Sequence, residues 1–409
     1  MMLKKNLLLA VAVVVTMSCY AFADISSLAN LLAEKRLISY GEAQTLVTES
    51  KEDERMKLAS GKSELVPAWV QNMTFKGDIR IRGQYDWSAS DKVRIRERLR
   101  LRMGIETRPI DKITVGFGLA TGALSNDADA SASSTNHTLQ YMDKANLFVD
   151  YAYIQYDPVN WLAVRGGKVK AKTQVWNASD LIWDGDYNPD GLNATASTKL
   201  SENTKLTTNA GLYTFGETRK GINAADGYIL QPVVEYKEGS IKVKAGLAYQ
   251  QFNFENRNQT MLREAAIGNL NYKIVNPSLS VDFSNVAGSS YKLSVFGDMA
   301  QNIQSNLPQV GGKDANKGYL AGVSFGHPKL NAFGTWNMKA MYRYLEAYAL
   351  PDKLGDSDAY GGSAGKGYEV VVNFGLTKAL SFGIDYYQMT NIDGNVPKSL
   401  CQFDFVCKF

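Results

Sequence analysis

The chain has 409 residues, of which 45 are lysine or arginine and 41 are aspartate or glutamate, and its formal net charge is +4 at pH 7. This near balance of charge excludes a strongly basic nucleic-acid-binding protein. Beyond residues 1–23, no apolar stretch approaches the roughly 20 residues that a membrane-spanning helix needs, which excludes a protein with helical membrane spans.

Residues 1–23 have the pattern of a signal peptide. Two lysines precede an apolar run at 7–17, and the "AFA" at 21–23 is a small-x-small cleavage site. We therefore predict that the mature chain begins at Asp24. The alternative is a lipoprotein signal with Cys19 as the lipidated residue, although the usual aliphatic residue three positions upstream of that cysteine is missing.

Residues 24–68 are predicted to form a periplasmic helical lead-in to the main domain. The leucines of "SSLANLL" follow a helical spacing, and the pattern breaks before a second helix that carries paired charges. Ser39, followed three residues later by Glu42, is a capping box for that second helix. The segment is either a solvated lead-in or a spacer or oligomerisation segment.

From Trp69 onward the hydrophobic period changes to two. Apolar and polar residues alternate in "FKGDIRIRGQY" at 75–85, and "VRIRERLRLRMGIE" at 93–106 carries an arginine at every second position from 94 to 102. A soluble sandwich also alternates, but segments of about ten residues with polar inner faces and aromatic girdles are typical of outer-membrane barrels. We predict an all-β fold, a transmembrane antiparallel up-and-down β-barrel over 69–409.

The lengths of the connections give the number of strands, because outer-membrane barrels alternate short periplasmic turns with long outer loops. This rule requires a weak strand at 192–200 and places both ends of the barrel chain in the periplasm. It gives about sixteen strands, with fourteen or eighteen as alternatives. The predicted strands are 73–85, 92–107, 113–122, 144–156, 161–169, 192–200, 204–215, 228–237, 240–252, 277–286, 290–302, 317–326, 332–346, 367–376, 379–390 and 399–409.

The last strand ends in "CQFDFVCKF", which places Phe403, Phe405 and Phe409 on one face. A terminal phenylalanine preceded by alternating aromatic residues resembles the end of outer-membrane barrels, where the barrel-assembly machinery recognises it. Cys401 and Cys407 lie about 20 Å apart along a strand, so no disulfide between them is predicted.

Several motifs together resemble the bacterial outer-membrane porins, in particular the putative-porin family. Its members open the barrel with a tryptophan and Gly-Asp-x-Arg-x-Arg, matched here by Trp69 and 77–82, followed by an arginine-alternating strand and the segment "IWDGDYNPDG" at 182–191. The resemblance implies passive transport of small hydrophilic solutes or ions across the outer membrane of a Gram-negative bacterium. The expected partners are outer-membrane lipid, the barrel-assembly machinery and further copies of the chain in a homotrimer.

In a barrel of this size, the polar faces of the strands line a water-filled channel. Carboxylates such as Asp78 or Glu106 are candidate partners for some of the basic residues. The predicted basic wall, on strands 1, 2 and 5, consists of Arg80, Arg82, Arg94, Arg96, Arg98, Arg100, Arg102 and Arg165.

The segment at about 170–191 carries charge of the opposite sign. In general porins the loop after strand 5 folds into the channel, so the resemblance implies a constriction loop here. The alternative is an ordinary solvated outer loop with Asn-Pro and Asp-Gly turns. Basic and acidic groups that face each other across a narrow gap favour dipolar solutes. The candidate acidic residues are Asp180, Asp184, Asp186 and Asp190.

No enzyme, cofactor or metal site is predicted. The two histidines, His137 in a long loop and His327 at a predicted periplasmic turn, lie on opposite sides of the membrane in this topology. Glu97 breaks the alternation of strand 2 and is expected at the membrane interface or above it. The alternatives to a general porin are an anion- or substrate-selective channel, or a structural barrel that tethers the outer membrane to peptidoglycan or a partner through the N-terminal helices.

Overall fold

The computed structural model describes residues 24–59, 66–88, 93–122, 134–170, 174–216, 225–253, 270–352, 354–359, 364–392 and 396–409. The chain divides into two units, with the boundary between Gln71 and Asn72. The predicted signal peptide lies outside the described residues.

The N-terminal unit contains the helices α1 (Asp24–Glu34), α2 (Tyr40–Ala59) and α3 (Ala68–Gln71). The predicted capping box is present: the Ser39 amide donates to Glu42 Oε2 (2.8 Å) and the Glu42 amide donates to Ser39 Oγ (3.2 Å). No helix among the described residues is long and apolar enough to cross a membrane. The buried residues that pack α1 against α2 are Ala29, Ala33 and Ala43.

The second unit is a closed antiparallel barrel of sixteen long strands, because the last strand pairs with the first as well as with its predecessor. All other long strands pair with their sequence neighbours. The strands are β1 (Thr74–Ser88), β2 (Arg94–Ile110), β3 (Ile113–Gly122), β4 (Asn146–Val159), β5 (Leu162–Lys168), β6 (Asp190–Lys199), β7 (Thr204–Gly216), β8 (Ala225–Glu238), β9 (Ile241–Asn253), β10 (Tyr272–Ser284), β11 (Lys292–Asn302), β12 (Lys317–Gly326), β13 (Trp336–Leu345), β14 (Gly365–Gly375), β15 (Leu380–Asn391) and β16 (Pro397–Lys408).

Short elements lie in the connections. A two-residue strand, His137–Thr138, extends the sheet beside β2 beyond the end of β3. Gln309–Val310 pairs with Lys313–Asp314 between β11 and β12, and the 3₁₀-helix Val286–Gly288 lies between β10 and β11.

The predicted count of sixteen strands and the up-and-down topology are confirmed, including the weak strand at 192–200, which is β6. Most predicted boundaries are within three residues of the observed ones, and two are wrong by more. β10 begins at Tyr272 instead of 277, and β13 begins at Trp336 instead of 332. In the first case, the inward residues Tyr272 and Ile274 are apolar and the outward Lys273 is charged, so the polar-inside, apolar-outside alternation that marks the other strands is absent there.

The two faces of each strand differ in the way that the alternation predicts. In β1, Arg80 and Arg82 are buried, whereas Ile79 is 40% exposed and Ile81 56% exposed. Because the sheet is closed, the buried polar residues face the lumen and the exposed apolar residues face outward. We call the end of the barrel with the β2–β3 and β4–β5 turns the turn end, and the opposite end the loop end.

One part of the lumen is filled by apolar side chains, which corrects the prediction of polar inner faces all round. Inward residues of β7 to β13 near the loop end pack against two connecting segments, one after β5 and one after β13. The cluster includes Tyr213, Ile229, Phe252, Tyr272, Ile274, Leu320, Met341 and Leu345 from the strands, and Leu181, Ile182, Trp183, Leu350 and Leu354 from the segments.

Candidate functional site: an arginine-lined lumen crossed by two loops

Four of the predicted arginines lie in two directly opposed pairs on the inward faces of β1 and β2. Arg80 is opposite Arg100, and Arg82 is opposite Arg98. All four side chains are buried. Like charges held this close destabilise a structure unless carboxylates or water compensate them.

The remaining predicted arginines flank this group or lie apart from it. Arg94 is exposed at the loop end of β2, and Arg96 pairs with Asp86 (Nη2–Oδ2 2.6 Å). Arg102 is half-buried toward the turn end of β2. Arg165 lies on β5, where it donates to amide and hydroxyl side chains of β4 and β6. The arginines of β1 and β2 therefore share one wall, and Arg165 belongs to a separate polar group.

Besides Asp86, two further aspartates in the same wall compensate part of its charge. Asp404 on β16 accepts two hydrogen bonds from Arg82, with Nε–Oδ1 and Nη2–Oδ2 distances of 2.7 Å. Asp78 accepts from Arg100 Nε (3.0 Å) and Arg102 Nε (2.9 Å). Asp78 was a candidate partner in the sequence, whereas Asp404 becomes a neighbour only when the barrel closes.

We call the described residues between β5 and β6, at 169–170 and 174–189, the first lumen loop. They are bound to inward side chains of distant strands. Gln231 on β8 accepts from the Trp176 amide (2.8 Å) and donates to the Trp176 carbonyl (2.6 Å). Asp298 on β11 accepts from the amide and hydroxyl of Ser179 (both 2.5 Å). Because Gln231 and Asp298 face inward, this loop lies inside the barrel.

Apolar packing completes the attachment of the first lumen loop. Leu181 and Ile182 are almost fully buried in the apolar cluster. The Trp183 indole packs there too and donates to Gln250 on β9 (Nε1–Oε1 3.0 Å). Gln231, Gln250 and Asp298 were not among the candidate residues from the sequence. Their inward position on their strands is the only sequence feature that indicates a role in the lumen.

The four predicted acidic residues of this segment occupy different surroundings. Asp186 contacts the arginine wall, with Oδ1 2.9 Å from Arg102 Nη1. Asp184 accepts from the Asp186 amide (3.0 Å), and Asp180 lies beside carboxylates of other elements. Asp190 is the first residue of β6, outside the loop, and pairs with a lysine at the end of β5.

A second loop, which the sequence analysis did not identify, reaches the wall from the opposite side of the apolar cluster. We call its described residues, at 346–352 and 354–359, the second lumen loop. Asp358 Oδ2 lies 3.5 Å from Arg82 Nη1 and accepts from Gln402 Nε2 (2.9 Å). Both lumen loops therefore place a carboxylate against the arginines.

A third segment, beside the start of β2, adds polar groups to the same region. Asn136 Oδ1 accepts from Arg80 Nη2 (2.6 Å), and the Thr135 hydroxyl donates to Asp186 (3.0 Å). The adjacent His137 lies in the two-residue strand beside β2, instead of an irregular loop.

Burial makes some of the loop carboxylic acids hard to ionise. It raises the pKa of Asp184 to about 7, and repulsion from Asp186 adds to the shift. Burial, with repulsion from Asp358, also raises the pKa of Asp356 well above its ordinary value. Burial alone would raise the pKa of Asp358 as well, but the charge of Arg82 outweighs it and lowers that pKa.

A cavity of about 380 Å³ lies on the turn-end side of the Asp186–Arg102 contact. Lys76 and Lys170 are among its lining residues, and Lys170 Nζ lies 4.2 Å from the centre of the Tyr151 ring. The lining of the cavity is therefore mixed, because the carboxylates of Asp78, Asp150 and Asp186 lie there beside the cations and the aromatic ring.

The three phenylalanines of the last strand lie on the outer surface. The Phe409 amide donates to the Gly77 carbonyl (3.0 Å) and the Gly77 amide donates to the Phe409 carbonyl (2.9 Å), which fastens the seam between β16 and β1. The Phe409 ring centre is 5.7 Å from that of Phe75. Phe403 and Phe405 are exposed on the same face.

Glu97 is exposed near the loop end of β2, opposite Gly83. His137 is near the loop end, whereas His327 lies in the connection between β12 and β13 at the turn end. The two imidazoles thus lie at opposite ends of the barrel.

A sequence model of a family described as "Putative porin" matches residues 86–260 and 250–409. Among solved structures, a high-pH structure of Pseudomonas putida OprB is 11% identical with a TM-score of 0.55, over 83% of this chain and 94% of that chain. The outer membrane channel DcaP of Acinetobacter baumannii is 13% identical with a TM-score of 0.49, over 82% and 97%. A loop-deletion mutant of Vibrio cholerae OmpT is 10% identical with a TM-score of 0.47, over 83% and 100%. No curated protein sequence matches the chain.

Proposed function

The chain belongs to the putative-porin family, and we propose that it forms a water-filled channel in the outer membrane of a Gram-negative bacterium, through which small hydrophilic solutes diffuse passively. The observation that carries this proposal is the closed barrel with an apolar outer face and arginines inside. A closed barrel satisfies its backbone hydrogen bonds without water, and an apolar outer face is favourable only against lipid.

The narrowest part of the proposed channel lies between the arginine wall and the two lumen loops. Asp186 and Asp358 directly contact Arg102 and Arg82 there, so solutes pass beside these ion pairs and not between them. Acidic and basic groups that together line a narrow aqueous gap create a local field that orients dipolar solutes. Apolar solutes must displace oriented water, so they are disfavoured.

The same proposal includes the orientation of the barrel in the membrane, removal of the signal peptide and assembly of the trimer. Both ends of the barrel chain lie at the turn end, and outer-membrane barrels place their short turns in the periplasm. We therefore assign residues 24–68 and the C-terminus to the periplasm, residues 1–23 to a removed signal peptide, and residues 69–409 to the membrane barrel. Phe403, Phe405 and Phe409 form the signal to the assembly machinery, and the assembled state is a homotrimer.

Reversal potential in a planar bilayer tests the channel and its selectivity together. We expect discrete conductance steps and, in a KCl gradient, a potential that indicates a preference for chloride, because arginines outnumber the carboxylates on the wall. Arg80→Gln combined with Arg100→Gln should reduce this preference, whereas Lys378→Gln in an exposed turn should not. Absence of conductance would contradict the channel, and clear cation preference would contradict the selectivity.

A structural tether is the second candidate function, because residues before Asn72 form a separate unit. Leu37 and Tyr40 of this unit are 68% and 71% exposed, as expected of a surface that binds a partner. Deleting residues 26–60 distinguishes the two functions. Unchanged conductance with detachment of the envelope would support the tether, whereas loss of the channel or the oligomer would assign the segment to porin assembly.

A further inference from the structure

Three carboxylates from three different elements meet inside the barrel. Asp180 of the first lumen loop, Asp356 of the second lumen loop and Glu369 of β14 have carboxylate oxygens that all lie within 4.8 Å of one another. The two loops are also joined by a backbone hydrogen bond from the Asp184 amide to the Leu354 carbonyl (2.7 Å). The trio therefore lies where the two loops contact each other and the barrel wall.

Among the described residues, two cations lie beside the three carboxylates. Lys339 Nζ lies 3.1 Å from Glu369 Oε1, while Arg343 donates to the backbone carbonyl of Asp356 (3.3 Å). The Tyr387 hydroxyl donates to Asp356 Oδ2 (3.3 Å). The titratable and charged groups that face the trio from the packed elements are Asp184, Asp358, Lys339, Arg343, Asp385 and Tyr387.

We propose that Asp180, Asp356 and Glu369 form a proton-operated latch: a proton held by Asp356 or Glu369 keeps the two lumen loops together at acidic pH, and loss of that proton lets the loops separate. Ionised carboxylates at this separation repel one another, and protonation removes that repulsion. Because Asp358 of the second lumen loop also contacts Arg82, separation of the loops changes the gap at the arginine wall. This inference rests on the proposed channel and describes its regulation.

The direction of the pH effect on loop packing depends on whether the packed loops or the separated loops bind protons more tightly. The pKa of Asp356 is raised by burial, and the pKa of neighbouring Asp184 is raised to about 7. A raised pKa means that the packed loops bind protons more tightly than the separated loops do. Packing is therefore strongest at acidic pH and weakens as the pH rises through about 7, and conductance should rise over the same range.

Single-channel conductance between pH 5 and pH 9 tests the latch, with EDTA present so that divalent cations do not replace protons. Each proton released on opening changes the closed-to-open ratio by up to about tenfold per pH unit. We expect Asp180→Asn combined with Asp356→Asn, which removes the charge repulsion between the two loops, to keep the conductance low at pH 8. Asp314→Asn, in an exposed hairpin, should behave like the wild type. Conductance that does not change with pH in the wild type would overturn the proposal.

A distance measurement tests the latch without relying on conductance. Spin labels at Ser357→Cys and Ser240→Cys, in a Cys401→Ser and Cys407→Ser background, should report one narrow distance at pH 5 and an additional population at pH 9. The amide variant should keep the acidic distance at both pH values. The latch would be overturned if neither the conductance nor the distance between the spin labels changes with pH. A pH-dependent distance in a protein that conducts no ions would support the latch and contradict the proposed channel.

Discussion

The Arg82 guanidinium is bound on two sides, by Asp404 at 2.7 Å and by Asp358 at 3.5 Å. Its side chain is only 7% exposed, so loss of the closer partner, Asp404, leaves a buried charge that Asp358 alone compensates. We predict that Asp404→Asn lowers the free energy of unfolding by about 3 kcal/mol, as for other broken buried ion pairs. A guanidinium chloride titration of the barrel in detergent micelles measures this change.

The matched control for that prediction is Asp282→Asn, because Asp282 pairs with Lys292 at 2.9 Å but the lysine side chain is 36% exposed. An exposed pair contributes at most about 1 kcal/mol. Equal losses of stability in the two variants would show that burial does not determine how much the ion pairs of the arginine wall contribute to the free energy of unfolding.

Asp184 gives the barrel a pH-dependent stability of its own. Its pKa is raised from 3.8 to about 7 in the folded loop, so its contribution is fully present below pH 3.8 and is lost as the pH rises through about 7. Asp184→Asn should therefore reduce the difference between the unfolding midpoints at pH 5 and pH 8. Asp190→Asn, at an exposed position, should preserve that difference. If the unfolding midpoints of Asp184→Asn differ between pH 5 and pH 8 as much as those of the wild type, the pH dependence does not come from Asp184.

At the scale of elements, the sequence predicts the strands wherever apolar residues that face lipid alternate with polar residues that face the lumen. The arginines of β2 mark its inward face for this reason. β10 is the exception, because Tyr272 and Ile274 face the apolar cluster inside the barrel and remove the contrast between the faces. The start of that strand could be found only from the pairing of Tyr272 with Phe252 of β9.

The lumen loops are far less predictable, because their contacts join residues distant in sequence. Trp176 is bound by Gln231, and Ser179 by Asp298, more than 50 positions away. No local pattern distinguishes a loop that folds inward from one that remains outside. The first lumen loop was expected from the family resemblance alone. The second lumen loop was not expected, because only the folded structure shows that Asp358 contacts Arg82.

We predict that Gln231→Leu loosens the first lumen loop. The leucine leaves the Trp176 amide and carbonyl without their partners, at a cost of about 1–3 kcal/mol for each buried group. Amides at 174–189 should exchange hydrogen faster, and the conductance should become larger or noisier. Gln251→Leu, which changes a glutamine bound only to neighbouring side chains of β9, is the control. Unchanged exchange in Gln231→Leu would show that apolar packing alone holds the loop.

At the scale of the whole molecule, the lumen is asymmetric. The arginine wall occupies β1 and β2, with Asp404 contributed by β16, while the apolar cluster occupies β7 to β13. The two loops span the space between these regions, with apolar side chains on one side and carboxylates on the other. Such a division anchors the loops firmly on the apolar side and leaves their charged side sensitive to solutes, salt and pH.

The arginine wall also depends on correct closure of the barrel, because Asp404 reaches Arg82 only across the β16–β1 seam. Gly77 lies at this seam, where an added Cβ would be 2.5 Å from the Phe409 ring and 2.6 Å from the Arg102 carbonyl oxygen. We predict that Gly77→Val prevents closure and abolishes the heat-modifiable folded band on SDS gels. Gly83→Val on the same strand, where an added Cβ meets nothing within 4 Å, should fold like the wild type. A normal folded yield of Gly77→Val would show that the seam tolerates a displaced Phe409 and that the terminal residue is not needed for closure.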